Sequence, residues 1–190
     1  MLLAPAGGAP SPWLRRFVGL IAPGASVLDV ACGSGRHVRW LAGQGFAVTG
    51  VDRDAAALAV LGAQCPTAEL LAADIEAGPW PWPGRCFDAV VVTNYLWRPL
   101  LPQLFASLGT GGVLVYETFA NGQQTVGKPS RPDFLLQNGE LLQAFAGLRV
   151  VAFEDGFEPE PARYVQRIVA VKGPPAGAAP PRYGLQGPAS

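Results

Sequence analysis

Residues 27–37 read VLDVACGSGRH, and the order of those eleven letters decides the fold. Val27, Leu28 and Val30 make a short apolar run interrupted by Asp29, and Ala31, Cys32, Gly33, Ser34 and Gly35 then gather small residues before a helical pattern begins. That is a buried strand running into a tight turn. Glycine takes positive φ without a side-chain clash and lets a ligand approach the main chain, so two glycines at a strand's carboxyl end mark a place for a small ligand. The same letters also suit a strand-to-helix turn that holds nothing, and the surrounding chain has to choose.

The flanking sequence alternates strands with helices. Upstream, Ser11 and Pro12 start a helix in which Trp13, Leu14, Phe17 and Val18 recur at helical intervals, and Pro23 with Gly24 ends it. Downstream, a helix over 35–44 carries Val38, Trp40 and Leu41 on its apolar face and is closed by Gly45. A second strand over 46–52 delivers Asp52, Asp54 caps a helix over 54–64, and a third strand over 69–73 ends at Asp74. After the loop EAGPWPWPGR comes a fourth strand over 87–92, apolar almost throughout, as a strand covered on both faces is. A helix over 97–108 tolerates Pro99 and Pro102 in its first turn.

The turn GTGG then leads to a fifth strand over 113–118, and residues 119–137 have no period and read as a long loop. Asn138 caps a helix through Phe145, and strands over 149–154 and 164–172 pair antiparallel across the turn DGFEPEPA. The sum is an α/β fold: a Rossmann-like, doubly wound sheet of seven strands, mostly parallel, with a closing antiparallel C-terminal hairpin. It occupies 11–172, between a flexible leader over 1–10 and a Gly/Pro/Ala-rich tail over 173–190 that offers a core nothing to pack.

Composition narrows the function classes. The chain has 190 residues, enough for one domain with a substantial core, and its 14 Lys and Arg balance 14 Asp and Glu. A non-specific electrostatic nucleic-acid binder is more basic than that. Cys32, Cys65 and Cys86 lack metal-ligand spacing and read as reduced thiols of a cytoplasmic protein, with no metal site. No segment is apolar for the length a bilayer requires, so no membrane partner is expected.

Acidic residues stand at or near three strand ends: Asp29 within the first, Asp52 after the second, Asp74 after the third. Asp52 follows Asp29 by 23 positions, the length of one strand, helix and strand. A carboxylate there can accept hydrogen bonds from both hydroxyls of a ribose, which suits an adenosine-containing cofactor. Two cofactor classes share that need. A dinucleotide fold uses G-x-G-x-x-G to bring a helix start against a pyrophosphate, but the third position counted from Gly33 and Gly35 is Val38.

From about Val27 to Lys172 these motifs, with the closing hairpin, resemble the class I S-adenosylmethionine-dependent methyltransferases, and the DVACGSG stretch is similar to that family's glycine motif. The C-terminal portion from FLLQNGELLQAF onward is similar to small single-domain methyltransferases related to the tellurite-resistance group. The resemblance implies S-adenosyl-L-methionine as cofactor and S-adenosyl-L-homocysteine as product. It implies that Gly33 and Gly35, with Ala31, Cys32 and Ser34 in the same turn, pass the methionine part of the cofactor. It places Asp52, beside Arg53, on the ribose, and Asp74 with the backbone of Ile75 on the adenine. Asp29 would order the turn and the cofactor's amino group, and Asn94 would face both methionine and acceptor. Ala31 is a departure, since many members carry a further glycine there.

Acceptor-side candidates come from the loops after the fourth and fifth strands: Asn94, Tyr95, Arg98, Glu117, Phe119, and the long loop around Lys128 and Arg131. Arg98 and Arg131 can bind an anion by paired hydrogen bonds, and Glu117 can act as a base. The stretch NYLWRPLLPQL departs from the Asn-Pro-Pro-aromatic pattern of enzymes that methylate nucleic-acid bases and protein amides. The expected acceptor is therefore a small molecule, a thiol or a metalloid oxyanion among the options. Trp80 and Trp82 either wall the adenine or pack at the rim, and His37 reads as a helix residue rather than a base. Two other functions stay open on sequence alone: a non-catalytic, cofactor-binding subunit of a modification complex, and an NAD(P)-binding oxidoreductase.

Overall fold

Ser11 starts the first helix with its buried hydroxyl, which accepts from the N–H groups of Trp13 and Leu14 at 3.1 and 3.3 Å. Pro12 follows at the first helical position, where a missing N–H costs nothing. In the computed structural model, which describes residues 8–173 and 182–185, this helix α1 (Pro12–Phe17) buries Trp13, Leu14 and Phe17 and runs into a 3₁₀ turn at Val18–Leu20.

The chain then lays down β1 (Ser26–Val30), α2 (Arg36–Gly43), β2 (Ala47–Asp52), α3 (Ala55–Gln64), β3 (Glu69–Ala72) and β4 (Phe87–Thr93). It continues through α4 (Leu101–Ala106), β5 (Leu108–Phe119), α5 (Glu140–Ala144), β6 (Arg149–Pro159) and β7 (Ala162–Val171). The seven strands form one sheet in the order β3-β2-β1-β4-β5-β7-β6. Strands β1 to β5 pair in parallel, while β7 runs antiparallel to both β5 and β6. The expected α/β architecture is the observed one.

Alternation along the strands sends side chains to opposite faces, each with its own core. On one face Val27, Val91, Val115 and Val169 pack with Trp13, Leu14 and Phe17 of α1 and with Val38 and Leu41 of α2. On the other, Leu28, Val90, Leu114, Tyr116 and Ile168 pack with Leu104 of α4 and with Leu141 and Phe145 of the α5 region. The register matters for function. Val30 pairs with Val51 and Val92, and Val51 pairs with Leu71, so the turns after β1, β2, β3 and β4 open on one edge of the sheet. Strand order reverses between β1 and β4, and that edge is where such sheets hold ligands.

Four local expectations need correction. The residues GTGG belong to β5, which begins at Leu108 with a bulge opposite Phe87 to Ala89. Gly111 and Gly112 exchange backbone hydrogen bonds with Lys172 there, so a neighbouring strand satisfies what looked like a free turn. The helix α5 is not capped by Asn138: Gly139 holds the cap position at φ +69°, and the N–H of Leu141 donates to Oε1 of buried Gln166 at 2.7 Å. The closing strands run longer than expected, joined across Glu160 and Pro161, because Glu154 faces Arg167 and Glu158 faces Arg163 across the pair. Those pairs close to 2.6 Å each and carry the ladder through residues that read as a turn. The long loop over 119–137 holds two 3₁₀ turns, Gln123–Thr125 and Pro132–Phe134, and Ala120 bridges Leu136.

The flexible leader and the tail fall largely on residues 1–7, 174–181 and 186–190, outside the described residues. Within the described part, Tyr183 packs against the α1 face, with the Arg149 guanidinium 5.8 Å from its ring centre. Among the described residues no helix is long and apolar enough to cross a membrane.

Candidate functional site

Two cavities lie side by side on the edge where the parallel strands end. The first is walled by Ala31 after β1, Asp52 and Arg53 after β2, and Ala73, Asp74 and Ile75 after β3. The second is walled by Asn94 and Leu96 after β4, Thr118 and Phe119 at the end of β5, and Pro129 and Phe134 from the long loop. Glu76 and Tyr95 border both.

Asp52 is the residue around which the first cavity is built. Its Oδ2 accepts from the N–H of Gly33 at 2.7 Å and its Oδ1 from the N–H of Asp54 at 2.9 Å. Each carboxylate oxygen has a second lone pair to offer, which is what a ribose with two hydroxyls requires. Asp74 sits beside it, with Oδ1 accepting from the N–H groups of Glu76 and Ala77 at 2.9 and 3.1 Å. Those bonds, Ala77's first, hold the Asp74 carboxyl below its ordinary value and leave Oδ2 for a donor such as an adenine amino group.

The glycine turn divides its labour. Gly33 has φ +54° and open space where a Cβ would stand, so main chain is bare to a ligand there. Gly35 has φ +78°, but a Cβ on it would meet the Leu61 side chain of α3 at 2.2 to 2.9 Å. It is glycine for the sake of α3 packing as much as for conformation. Ala31 takes φ +53° without being glycine, a strained backbone at the lip of the cavity. Asn94, at φ +55°, does the same after β4, and its N–H donates to the Glu117 carbonyl at 2.9 Å.

Other expected site residues stand elsewhere. The Cys32 side chain is buried in the α1-face core, where burial first and the nearby carboxylates second push its thiol up. Ser34 is exposed and lends only its carbonyl to Arg39, at 2.6 Å. Asp29 lies under the turn, 1% exposed, with its Oδ2 unpartnered and 3.8 Å from His37 Nδ1. Burial raises the Asp29 carboxyl to about 8, against the pull of Arg36 and with a push from Asp52. Burial also lowers the His37 imidazole to about 3, Arg36 adding to it. Nε2 of His37 accepts from the N–H of Ser11 at 3.1 Å, so the neutral ring carries its proton on Nδ1. His37 is thus a buried helix residue, as expected.

On the acceptor side, four of the candidates are on neither cavity's wall. Arg98 spends its guanidinium on Glu140 at 2.7 and 3.0 Å and on the carbonyls of Asp133 and Leu135 at 2.8 Å each. It ties the long loop to α5 and keeps one N–H of its five, too few for the paired hydrogen bonds that would bind an anion. Arg131 is exposed and paired with Asp133 at 2.8 Å. Glu117 points to the opposite face of the sheet, where it accepts from the Ser11 hydroxyl at 2.5 Å and faces Arg163 and Arg167 at 3.8 and 3.5 Å. Neither Arg131 nor Glu117 lines either of the two cavities, nor does Lys128, whose carbonyl accepts from Gln123. Asn94, Tyr95 and Phe119 are on the second cavity's wall. Sequence reasoning missed Glu76, Thr118, Pro129 and Phe134. Thr118 had a signal: it neighbours Glu117 on a strand, so only one of the two can face the cavity. Trp82 is buried against Phe87 and Trp80 stacks edge-on to it at 5.5 Å, and neither tryptophan lines the first cavity.

The dinucleotide reading meets an obstacle here. Val38, at the third glycine's position, is fully buried among the α1-face residues.

Comparison with known proteins agrees with that geometry. A family profile described as a methyltransferase domain matches residues 27–112. Trans-aconitate 2-methyltransferase of Paracidovorax citrulli is 39% identical over 106 residues, covering 52% of this chain and 40% of that protein. The protein of the same name from Delftia acidovorans is 32% identical over 120 residues, covering 58% and 44%. The chain thus spans less than half the length of these curated relatives. Among solved structures, TehB from Haemophilus influenzae superposes with a TM-score of 0.68 at 19% identity, covering 82% of this chain and 59% of that one, a likeness of fold.

Proposed function

Taking as premise that the chain belongs to the class I S-adenosylmethionine-dependent methyltransferase family, we propose that it moves the cofactor's methyl group to a small-molecule acceptor. The observation that carries the reading is the seam at Tyr95 and Glu76, where a cavity built on Asp52 and Asp74 meets a second one that is mostly apolar. A methyl transfer needs two such chambers, one for each reactant, sharing one wall.

S-adenosylmethionine supplies a methyl group already activated on a sulfonium, which an acceptor lone pair takes in one in-line displacement, the electrons of the broken carbon–sulfur bond staying on sulfur. The chain's part is alignment and exclusion of water. Asp52 would hold the ribose, Asp74 and the backbone at Ile75 the adenine, and the open main chain at Gly33 the methionine part. Arg53 lines the same cavity and balances the two carboxylates. Asn94, with its left-handed backbone, is on the second cavity's wall beside Tyr95 and would face the acceptor. Glu76 is the carboxylate at the seam and is placed to take the proton that an oxygen or nitrogen acceptor releases. The curated relatives act on trans-aconitate by name, and their partial match supports a small-molecule acceptor. We place the methyltransferase domain at 11–172. Cys32, Cys65 and Cys86 are free thiols, which supports a reducing, cytoplasmic setting.

The test is calorimetric titration with S-adenosylhomocysteine, NAD and NADP, repeated on Asp74→Ala. Binding of S-adenosylhomocysteine alone at micromolar or tighter Kd, weakened by the substitution, is the expected result. Heat from a dinucleotide and none from S-adenosylhomocysteine would sink the reading.

A further inference from the structure

The wall of the second cavity is held by a residue that does not line it. Part of that wall is Asn94, Tyr95 and Leu96 after β4, and another part is Pro129 and Phe134 from the long loop. The first part is fixed to the sheet: the buried Tyr116 of β5 donates its hydroxyl to the Tyr95 carbonyl at 2.9 Å, and Leu96 is buried in the core. The loop's part is tied down differently. Phe134 is 37% exposed, its N–H donates to the Arg131 carbonyl at 3.0 Å within the same 3₁₀ turn, and Arg131 pairs with Asp133 two residues away.

Among the described residues, the hydrogen bond that joins 129–134 to an element outside the loop comes from Arg98, which donates to the Asp133 carbonyl at 2.8 Å. The same guanidinium donates to the Leu135 carbonyl at 2.8 Å, so it grips the main chain on both sides of Phe134. Arg98 stands two residues beyond Leu96, and its bonds to Glu140 at 2.7 and 3.0 Å hold the guanidinium in place. Glu140 in turn accepts from the N–H of Gln137 at 2.8 Å, which fixes the loop's far end to α5. The planar fork of arginine serves two carbonyls and a carboxylate at once, whereas a lysine ammonium is a point charge on a flexible stem. Without Arg98 the turn would be held from one end, where the N–H of Leu136 donates to the Phe119 carbonyl at 3.0 Å. A segment so held opens locally at little cost, and Phe134 would move with it.

We propose that Arg98 is a positioning residue for methyl transfer: by bonding the main chain on both sides of Phe134 it holds that residue as a wall of the acceptor's cavity and so sets which groups fit opposite the cofactor's methyl. The proposal rests on the methyltransferase reading, which makes the second cavity the acceptor's.

The experiment reads that wall from the cofactor's side. The probes are two aza analogues of S-adenosylmethionine, nitrogen replacing the sulfonium sulfur and carrying a methyl group in one and a benzyl group in the other. The substituent points along the path the methyl takes. Calorimetry on the full chain measures both, with S-adenosylhomocysteine as reference. In the wild type the benzyl analogue is expected to bind about tenfold more tightly than the methyl analogue. Arg98→Met is expected to cut that gain to about twofold or less, while S-adenosylhomocysteine affinity stays within about twofold. Arg98→Lys, which keeps the charge without the fork, is expected to behave as Arg98→Met does. Phe134→Ala, a change in an exposed turn that serves even if Arg98→Met does not fold, should lose the same gain, and adding Arg98→Met to it should lose nothing more. No gain from benzyl in the wild type, a gain unchanged in Arg98→Met or in Phe134→Ala, or a gain kept by Arg98→Lys overturns the proposal with the cofactor reading intact. A loss of S-adenosylhomocysteine affinity in Arg98→Met as large as the loss of the gain makes Arg98 part of the general scaffold and overturns it as well. Failure of S-adenosylhomocysteine to bind the wild type overturns both the proposal and the reading beneath it.

Discussion

The N–H of Gly33 donates to Oδ2 of Asp52 at 2.7 Å, so the carboxylate that ends β2 also fixes the turn that ends β1. One residue therefore shapes the cavity and supplies its main hydrogen-bond acceptor. Asp52→Ala removes the bonds to Gly33 and Asp54 together with any bond to a ribose. The expected loss in S-adenosylhomocysteine affinity is about 10- to 100-fold, or about 1.4 to 2.8 kcal/mol. Asp52→Asn, which keeps one carbonyl acceptor, should lose less. Calorimetry reads both, with circular dichroism confirming that each variant is folded.

Gly33 and Gly35 should fail in different ways. A Cβ on Gly33 meets no atom within 4 Å, so Gly33→Ala costs the strain of a left-handed alanine, about 1 kcal/mol, and places a methyl group where a ligand passes. A Cβ on Gly35 strikes Leu61, which is fully buried, so Gly35→Ala adds a packing clash to the same strain. The expected cost there is about 2 to 4 kcal/mol. Gly33→Ala should lower cofactor affinity more than thermal stability, and Gly35→Ala the reverse. Urea unfolding and calorimetry on the same two variants would decide it.

The buried pair Asp29 and His37 predicts a pH profile of stability. Asp29 goes from an ordinary 3.8 to about 8 on folding, and His37 from 6.5 to about 3. A raised group stabilises fully below its unfolded value, so the Asp29 contribution falls as pH rises from 3.8 and is gone above about 8. A lowered group stabilises fully above its unfolded value, so the His37 contribution falls as pH drops from 6.5 toward about 3. Between 3.8 and 6.5 the folded chain holds its proton on Asp29 and the unfolded chain holds one on His37, and the two slopes cancel. Above 6.5 only Asp29 remains, and stability should fall toward pH 8 by up to about 1.4 kcal/mol per pH unit. Asp29→Asn, neutral throughout, should flatten that segment. Thermal midpoints from pH 6.5 to 8 on both proteins measure it, and equal slopes would refute the assignment.

How much of this was legible in the chain follows from which distances sequence can express. The seven strands, their mostly parallel pairing and the closing hairpin follow from local periodicity and from connection length, and they are as the pattern predicts. Asp52 and Asp74 are where their spacing puts them, because a strand-helix-strand unit has nearly fixed length. The acceptor side was less readable. Charge drew attention to Arg98 and Glu117, but their partners are Glu140, Asp133 and Leu135 for one and Ser11, Arg163 and Arg167 for the other, all distant in sequence. Strand β5 is buried on both faces, so its apolar run gives no phase, and nothing local says that Thr118 and not Glu117 looks into the cavity. The cap of α5 came from Gln166, a side chain 25 positions from the N–H it serves.

The polar chain on the α1 face supplies a last test. Glu117 is 1% exposed, and Ser11 joins it to His37: the Ser11 hydroxyl donates to Glu117 while its N–H donates to His37. The same hydroxyl caps α1, so one serine pins the first helix onto β5 and α2 together. Glu117→Gln keeps the shape and removes the charge that faces Arg163 and Arg167. Breaking a buried, charge-assisted contact of this kind should cost about 1 to 3 kcal/mol, a fall of roughly 3 to 10 °C in Tm for a domain of this size. Because Glu117 borders neither cavity, S-adenosylhomocysteine affinity should stay within about twofold. Ser11→Ala should destabilise as well. The double variant should lose less than the sum, since both substitutions break the same bond, with a coupling of about 0.5 to 3 kcal/mol. Strict additivity in thermal unfolding, or a cofactor-affinity loss in Glu117→Gln as large as that of Asp52→Ala, would return Glu117 to the site and remove it from the scaffold.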